Sequence, residues 1–155
     1  MAREQYVGRA GQLATMAEFL LRGYNVAIPE VDEGDDVFVV NDRVDRLWRI
    51  QVKTAIGVRR SYGFSGQFLI PLSQLRSLDP TPLFYVLCLR CEDRWEFLPI
   101  AQGDLFTEYR RYRVGSKVGP GLVLYLAFRE AEVTCSERNW QHHRNNWSPW
   151  PILSS

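Results

Sequence analysis

Lysine is almost missing from this chain. Among 19 basic residues only Lys53 and Lys117 are lysines, and arginine supplies the rest of the positive charge. The lysine ammonium differs from a guanidinium because it is a compact charge whose pKa shifts readily in a protein. A lysine in a chain that otherwise uses arginine therefore indicates a position that needs the compact charge or the shiftable pKa of an ammonium. Lys53 is such a lysine, and it lies inside an apolar run.

Cysteine and long apolar runs are also scarce. The chain has three cysteines, and an odd number argues against a disulfide framework. No apolar run approaches the ~20 residues that a membrane span requires, and residues 1–6 lack the apolar core of a secretory signal. We therefore expect a cytoplasmic protein with no membrane partner.

Neither sign of charge dominates the chain, whose formal net charge is +1 over 155 residues. The contents of 46% hydrophobic and 24% charged residues are those of a folded protein, and the length predicts a single domain. Acids outnumber bases nine to six in residues 1–50, whereas bases outnumber acids thirteen to nine in residues 51–155. Such a split is compatible with an acidic metal pocket that has basic flanks.

Two apolar runs, residues 37–40 and 47–54, flank a polar turn. β-Branched and aromatic residues dominate both runs, which predicts two strands of a hairpin. Side chains alternate along a strand, so Gln51 and Lys53 share one face, and Asp36 immediately precedes the first strand. If the strands pair antiparallel, an acid, an amide and an amine meet at one place.

Carboxylate and amide oxygens are hard ligands that suit Mg²⁺, which takes one or two protein carboxylates and leaves its other positions to water and phosphate. An ammonium beside such an ion can activate the attacking water or stabilise the charge that develops on a phosphate. The structural alternative is that Asp36 is a turn residue and that Gln51 and Lys53 form the solvent face of a strand.

The order of Asp36, a spacer of fourteen residues and Gln51-Val52-Lys53 resembles the PD-(D/E)XK nuclease superfamily. It resembles the branch in which the strand reads Ile-Gln-x-Lys, which includes homing endonucleases encoded in group I introns. The resemblance covers roughly the first 55 to 70 residues. It implies one α/β domain with a restriction-endonuclease-like core at residues 8–70, in which an N-terminal helix packs on a mixed β-sheet. Additional C-terminal strands and an aromatic tail would occupy residues 83–155.

The resemblance also implies roles for individual residues in a metal-dependent DNA endonuclease. Asp36 and Gln51 would hold Mg²⁺, with Mn²⁺ as a possible substitute, and Lys53 would activate the water or stabilise the pentacovalent phosphate. The family places a Glu near the start of the preceding helix, and the matching residue here is Gln12. Glu18 lies about 120° from Gln12 around the helix axis and does not match.

Glutamine at position 12 removes a negative charge from the metal site. The alternative function is therefore a catalytically weakened or inactive nuclease fold that acts in DNA binding or assembly. An acidic loop could lend the ion a second carboxylate, although such loops are more often simply solvated. The acids of this loop are Glu30, Asp32, Glu33 and Asp35.

Two segments combine arginine with aromatic residues, as surfaces that contact phosphate do. We expect a double-stranded DNA partner, with ordinary solubilising loops as the alternative for each segment. The candidate DNA-binding residues are Arg59, Arg60, Tyr62, Arg110, Arg111 and Arg113.

A nuclease that cuts both strands usually needs two active sites, so we expect a homo-oligomer, either a dimer or a tetramer. The tail contains three of the five tryptophans, at positions 140, 147 and 150. These tryptophans would bury a large area either on a second subunit or on the core of their own chain.

The remaining pattern predicts the secondary structure. A helix is expected over residues 11–22, with an apolar stripe of Leu13, Met16, Ala17, Leu20 and Tyr24. Strands are expected over residues 24–29, 68–72, 83–89, 95–100 and 122–128, and irregular polar structure over residues 103–121. The expected sheet is mixed and has about five to seven strands.

Overall fold

The computed structural model describes residues 2–31, 36–77 and 81–154. The helices in these ranges are α1 (Ala2–Leu21), α2 (Leu72–Leu75) and α3 (Gln102–Tyr112), with a short 3₁₀ helix at Gln141–His143. The strands in these ranges are β1 (Asn25–Ala27), β2 (Val37–Asn41), β3 (Arg46–Ile56), β4 (Val58–Arg60), β5 (Gly63–Pro71), β6 (Leu83–Cys91), β7 (Arg94–Ala101), β8 (Ser116–Val118), β9 (Gly121–Phe128), β10 (Val133–Cys135) and β11 (Arg138–Asn139).

The first sheet has the strand order β1-β2-β3-β6-β7. β2 and β3 form the expected antiparallel hairpin, in which Val37 pairs with Ile50. β3 and β6 are parallel, while β6 and β7 are antiparallel, so the sheet is mixed. The α/β class, with an N-terminal helix packed on a mixed sheet and further strands, is confirmed. This sheet includes β6 and β7, which lie beyond residue 70.

The second sheet is antiparallel and packs against the first. Its strand order is β11-β10-β9-β5-β4, and β8 also pairs with β9. The sequence did not predict this division into two sheets, because short strands such as β8, β10 and β11 hold only two or three residues each.

Two hydrophobic cores lie on opposite faces of the first sheet, and β6 contributes to both. Tyr85 and Leu87 face the core between the two sheets, whereas Val86 and Cys88 face the core beneath α1. This double burial explains why β6 is an almost continuous apolar run in the sequence.

Most of the apolar stripe predicted for α1 faces solvent, whereas its Tyr24 is buried and its Met16 is partly buried against the core beneath the helix. The helix begins earlier than expected, at Ala2, and its Leu13 and Leu20 side chains are 48% and 54% exposed. Its buried face carries Gly11, Thr15 and Phe19 instead. The first two of these residues are small because this part of α1 lies very close to β3. A methyl group on Gly11 would overlap the side chain of Thr54.

Residues 103–121 are not irregular, because most of this segment forms α3 and β8. The helix buries Leu105 and Glu108 one turn apart. The Glu108 carboxylate accepts hydrogen bonds from Arg138, at 3.0 and 3.4 Å, and from Trp140 Nε1, at 2.8 Å. A buried acid with partners thirty residues away looks like a surface residue in the sequence, which is why the helix was missed.

The aromatic tail packs on the core of its own chain. Trp147 and Trp150 are buried against Phe19 of α1, with ring centroids at 5.4 and 4.9 Å. The tail therefore helps to fix α1 on the first sheet. Among the described residues, no helix is both long enough and apolar enough to cross a membrane.

Candidate active site

Asp36 lies directly before β2, and β3 fixes its position. Its amide donates a hydrogen bond to the Ile50 carbonyl at 3.0 Å, as the continued hairpin register requires. Its Oδ2 accepts hydrogen bonds from the Val52 amide at 2.9 Å and from Gln51 Nε2 at 2.7 Å. The carboxylate is thus held against the middle of β3.

Gln51 is buried, with 6% of its surface exposed, so its amide needs partners. Its Nε2 is bound to Asp36, and its Oε1 accepts a hydrogen bond from Gln74 Nε2 at 3.2 Å. Gln74 belongs to α2, and Gln102 Nε2 donates to the Gln74 carbonyl at 2.6 Å. These contacts orient the Gln51 amide, and Gln74 is not among the predicted site residues.

Gln12 reaches the site from α1. Its Nε2 donates to the main-chain carbonyl of Asp36 at 2.8 Å, and its Oε1 accepts a hydrogen bond from Arg9 at 2.5 Å. Arg9 lies one helical turn before Gln12 and was not predicted as a site residue. The only signal available in the sequence was its spacing of three residues from Gln12, which places both on one side of a helix.

Lys53 follows Gln51 on the same face of β3, and its side chain is partly buried. The four predicted residues Gln12, Asp36, Gln51 and Lys53 line one open pocket between α1 and β3. The complete lining is Gln5, Gly8, Arg9, Gln12, Asp36, Gln51, Val52, Lys53 and Thr54.

The donor set of this pocket suits a weakly held Mg²⁺. Among the described residues no group of three or more His, Cys, Asp or Glu side chains lies together, so a cage of carboxylates is absent from this part of the chain. Mg²⁺ does not need one, because it commonly binds through one or two carboxylates and completes its shell with water and substrate phosphate. The Asp36 carboxylate meets that minimum, and the Gln51 amide oxygen, which here accepts a hydrogen bond from Gln74, would join it on rotation of the amide.

The candidate DNA-binding residues lie outside the pocket. Arg59 forms an exposed ion pair with Glu92 at 2.6 Å, and Arg60 Nε donates to Ser65 Oγ at 2.9 Å. The guanidinium of Arg129 lies 4.4 Å above the Tyr62 ring. Exposed ion pairs contribute little free energy, so Arg59 can exchange Glu92 for another anion at small cost.

The second candidate segment forms the end of α3. Arg110 and Arg111 are in its last turn, and Arg113 adopts the left-handed conformation that ends the helix, with φ of 56°. In the acidic loop, Asp32, Glu33 and Asp35 lie outside the described residues.

Comparison with known proteins supports the fold. No protein-family model matches the chain, and no curated protein matches it. The structure of a bacterial homing endonuclease, I-Ssp6803I, is similar to this chain with a TM-score of 0.62. The similarity covers 94% of this chain and 88% of that one, at 18% sequence identity. The chain therefore has a nuclease-like fold that it shares with a homing endonuclease over almost its full length.

Proposed function

We propose that this protein is a metal-dependent DNA endonuclease of the PD-(D/E)XK type. The observation that carries the proposal is the convergence of Asp36, Gln51 and Lys53 on one pocket. In that pocket Gln51 Nε2 contacts Asp36 Oδ2 at 2.7 Å, and Lys53 lies on the same strand face. The fold shared with a homing endonuclease supports DNA as the substrate.

Asp36 and Gln51 would hold Mg²⁺, which when bound activates water and neutralises charge on a phosphoryl oxygen. For the Gln51 oxygen to reach the same place as the Asp36 carboxylate, its amide must turn, because its Nε2 now donates to Asp36. Gln74 can follow that turn, since a glutamine amide both donates and accepts hydrogen bonds.

Lys53 supplies a positive charge and a proton-transfer group beside the scissile phosphate. A charge fixed where negative charge develops stabilises the transition state without reorganisation. Arg9 lines the same pocket and brings a second cation, which can bind a phosphate oxygen when DNA enters. The pocket thus pairs one carboxylate with two cations.

A second candidate function is DNA binding or assembly without hydrolysis. It rests on Gln12, which is neutral where the resembled family has an acid. Its Oε1 is already bound to the Arg9 guanidinium and does not point freely into the pocket. Loss of the second anionic ligand would weaken metal binding and with it the chemistry.

A plasmid cleavage assay in Mg²⁺ and in Mn²⁺ distinguishes these functions. The wild type is compared with Asp36→Asn and Lys53→Ala, while DNA binding is measured in parallel by fluorescence anisotropy. We expect the wild type to nick or linearise the plasmid and both variants to lose cleavage while they keep DNA binding. DNA binding by the wild type without cleavage in either metal would favour the second function. Equal cleavage by wild type and variants would remove this pocket from the account.

A further inference from the structure

The outer face of α1 is apolar although it is exposed. Tyr6, Ala10, Leu13, Ala17 and Leu20 recur at alternating spacings of four and three residues, and all of them are exposed. The three large side chains are 77%, 48% and 54% exposed. Because each helical residue turns by about 100°, these five residues form one straight line. We call this line the outer stripe, and it lies about 180° from the buried face of the same helix.

The outer stripe has the pattern of a helix-pairing surface. A surface helix normally presents polar residues to solvent, whereas none of these five residues carries a charge. A repeat of 3.5 residues keeps one seam facing a second helix along the whole contact. A contiguous exposed apolar patch of this kind indicates an interaction site.

The sizes of the side chains point to a second copy of this chain as the partner. Within the outer stripe, one set of seam positions holds alanine, at Ala10 and Ala17, and the other set holds Tyr6, Leu13 and Leu20; Arg3, one heptad before Ala10, ends the apolar seam at the first turn. When two such helices pair antiparallel, each position of one set faces a position of the other set. Each alanine then faces a large side chain, which is the alternation that close packing requires. We propose that α1 pairs antiparallel with α1 of a second copy through the outer stripe.

The antiparallel arrangement also brings two active-site pockets to one side of the dimer. The four residues of α1 that line the pocket, Gln5, Gly8, Arg9 and Gln12, lie on average about 110° around the helix from the outer stripe. The twofold axis of two antiparallel helices is perpendicular to the plane that contains them. It therefore turns both pockets toward the same side, where one DNA duplex can reach them. This step rests on the proposed function, whereas the outer stripe itself does not.

The area of the contact predicts a weak dimer. A helix of 20 residues is about 30 Å long and about 10 Å wide, so the helix pair alone covers roughly 300 Å² per subunit. Leu21, the last residue of α1, is 77% exposed, and the tail passes this end of the helix, where the Leu153 amide donates to the Arg22 carbonyl at 2.8 Å. Stable interfaces bury about 1,200 Å² or more in total. We therefore expect association that depends on protein concentration and that bound DNA strengthens.

Sedimentation velocity over a series of protein concentrations tests the interface. The wild type should dimerise, and Leu13→Glu should raise the dimer Kd by about 100-fold, because it places a charge in the seam. Leu69→Glu is the matched control, since Leu69 is 57% exposed on the second sheet and should leave the Kd unchanged. Ala17→Glu serves as a second test if Leu13→Glu does not fold.

Two results would overturn the interface. One is a wild type that stays monomeric at every concentration, and the other is a seam variant that folds and associates like the wild type. If the wild type forms a larger assembly, the seam variants must reduce its size.

Cross-linking tests the antiparallel direction. The native cysteines Cys88, Cys91 and Cys135 are buried, so introduced cysteines can be followed without removing them. Chains that carry Leu13→Cys are mixed with chains that carry Ala17→Cys and are then oxidised. An antiparallel pair in which Leu13 faces Ala17 should give a disulfide between the two kinds of chain. The other antiparallel register places Leu13 opposite Ala10, so a mixture of Leu13→Cys and Ala10→Cys chains is oxidised in parallel, and one of the two mixtures should cross-link. A parallel pair should instead link each kind of chain to itself, which would contradict the proposed direction.

Failure of the interface and failure of the proposed function give different results. If both are right, Leu13→Glu should nick supercoiled plasmid but form linear product more slowly, whereas Asp36→Asn should do neither. A wild type that dimerises through the outer stripe without cutting DNA would refute the nuclease and retain the interface. Linear product formed by Leu13→Glu at the wild-type rate would refute the paired-site arrangement.

Discussion

At the scale of the residue, the substitution Lys53→Arg distinguishes a chemical role of the lysine from a simple need for positive charge. Arginine keeps the charge but has a larger, planar group whose pKa is too high for proton transfer. We expect Lys53→Arg to lower the cleavage rate by about 100-fold or more, while DNA affinity changes little. Lys117→Arg is the control, because the other lysine of the chain is exposed on β8. Equal cleavage by Lys53→Arg and the wild type would show that position 53 needs only a cation.

Gln12 offers a test of the proposed metal site by a gain of charge. Gln12→Glu places a second carboxylate near Asp36, so we expect tighter Mg²⁺ binding by calorimetry and faster cleavage. The same change removes the hydrogen bond from Gln12 Nε2 to the Asp36 carbonyl, which should lower the free energy of unfolding by about 1 kcal/mol. Unchanged metal affinity in Gln12→Glu would place the ion away from this helix.

The proximity of Asp36, Gln51 and Lys53 could be predicted because it depends on local rules. Strand alternation and hairpin pairing place the three residues, and both can be read from a segment of 18 residues. Arg9 and Gln74 could not be found in this way. Gln74 meets Gln51 through tertiary packing at a separation of 23 positions in the sequence, and no periodicity in the sequence encodes that contact.

At the scale of the element, the contact between α1 and β3 depends on Gly11. A Cβ at this position would lie 2.1 Å from Thr54 Oγ1 and 2.7 Å from Thr54 Cγ2. We expect Gly11→Ala to lower the free energy of unfolding by about 1–3 kcal/mol, although alanine is the better helix former. Urea denaturation measures this difference.

Gly8 is the matched control in the same helix, because a Cβ there would meet nothing within 4 Å. Gly8→Ala should raise the free energy of unfolding by about 0.5–1 kcal/mol through helix propensity alone. If both substitutions stabilise the protein, α1 does not approach β3 as closely as the structure indicates.

The face of α1 shows why helix existence is easier to predict than helix orientation. Apolar spacing identified a helix, but the leucines of its strongest stripe are exposed. The buried face instead carries Gly11 and Thr15, because the backbone of α1 lies close to the first sheet. There Thr15 Oγ1 lies 3.1 Å from Cys88 Sγ. A pattern based on hydrophobicity ranks such small and polar residues as surface, so the true inner face could not be predicted.

At the scale of the whole molecule, acid should destabilise the fold through His143. Burial, together with the neighbouring His142, lowers the pKa of His143 from 6.5 to about 4. The folded state therefore favours the neutral imidazole, and the unfolded state binds the proton first. The free energy of unfolding should fall as the pH drops from about 6.5 toward 4.

His143→Gln should flatten this decrease in stability between pH 6.5 and 4.5. Carboxylates titrate mainly below this window. Burial alone would raise the pKa of Glu96, but its hydrogen bonds with Arg144 hold the pKa below the ordinary value of 4.5. Denaturant titrations at each pH measure the slope, and an identical slope in wild type and His143→Gln would contradict the assignment.

The central claim is that a divalent cation binds between Asp36 and Gln51, and a crystal soaked in Mn²⁺ tests it most directly. Anomalous scattering locates the ion without reference to any assumed ligand. The account predicts a peak at about 2.1–2.2 Å from an Asp36 carboxylate oxygen, with the Gln51 amide oxygen turned toward it and Lys53 beside the open side of the ion. A peak elsewhere, or an Asp36 carboxylate that keeps both β3 hydrogen bonds with no ion at saturating Mn²⁺, would contradict it.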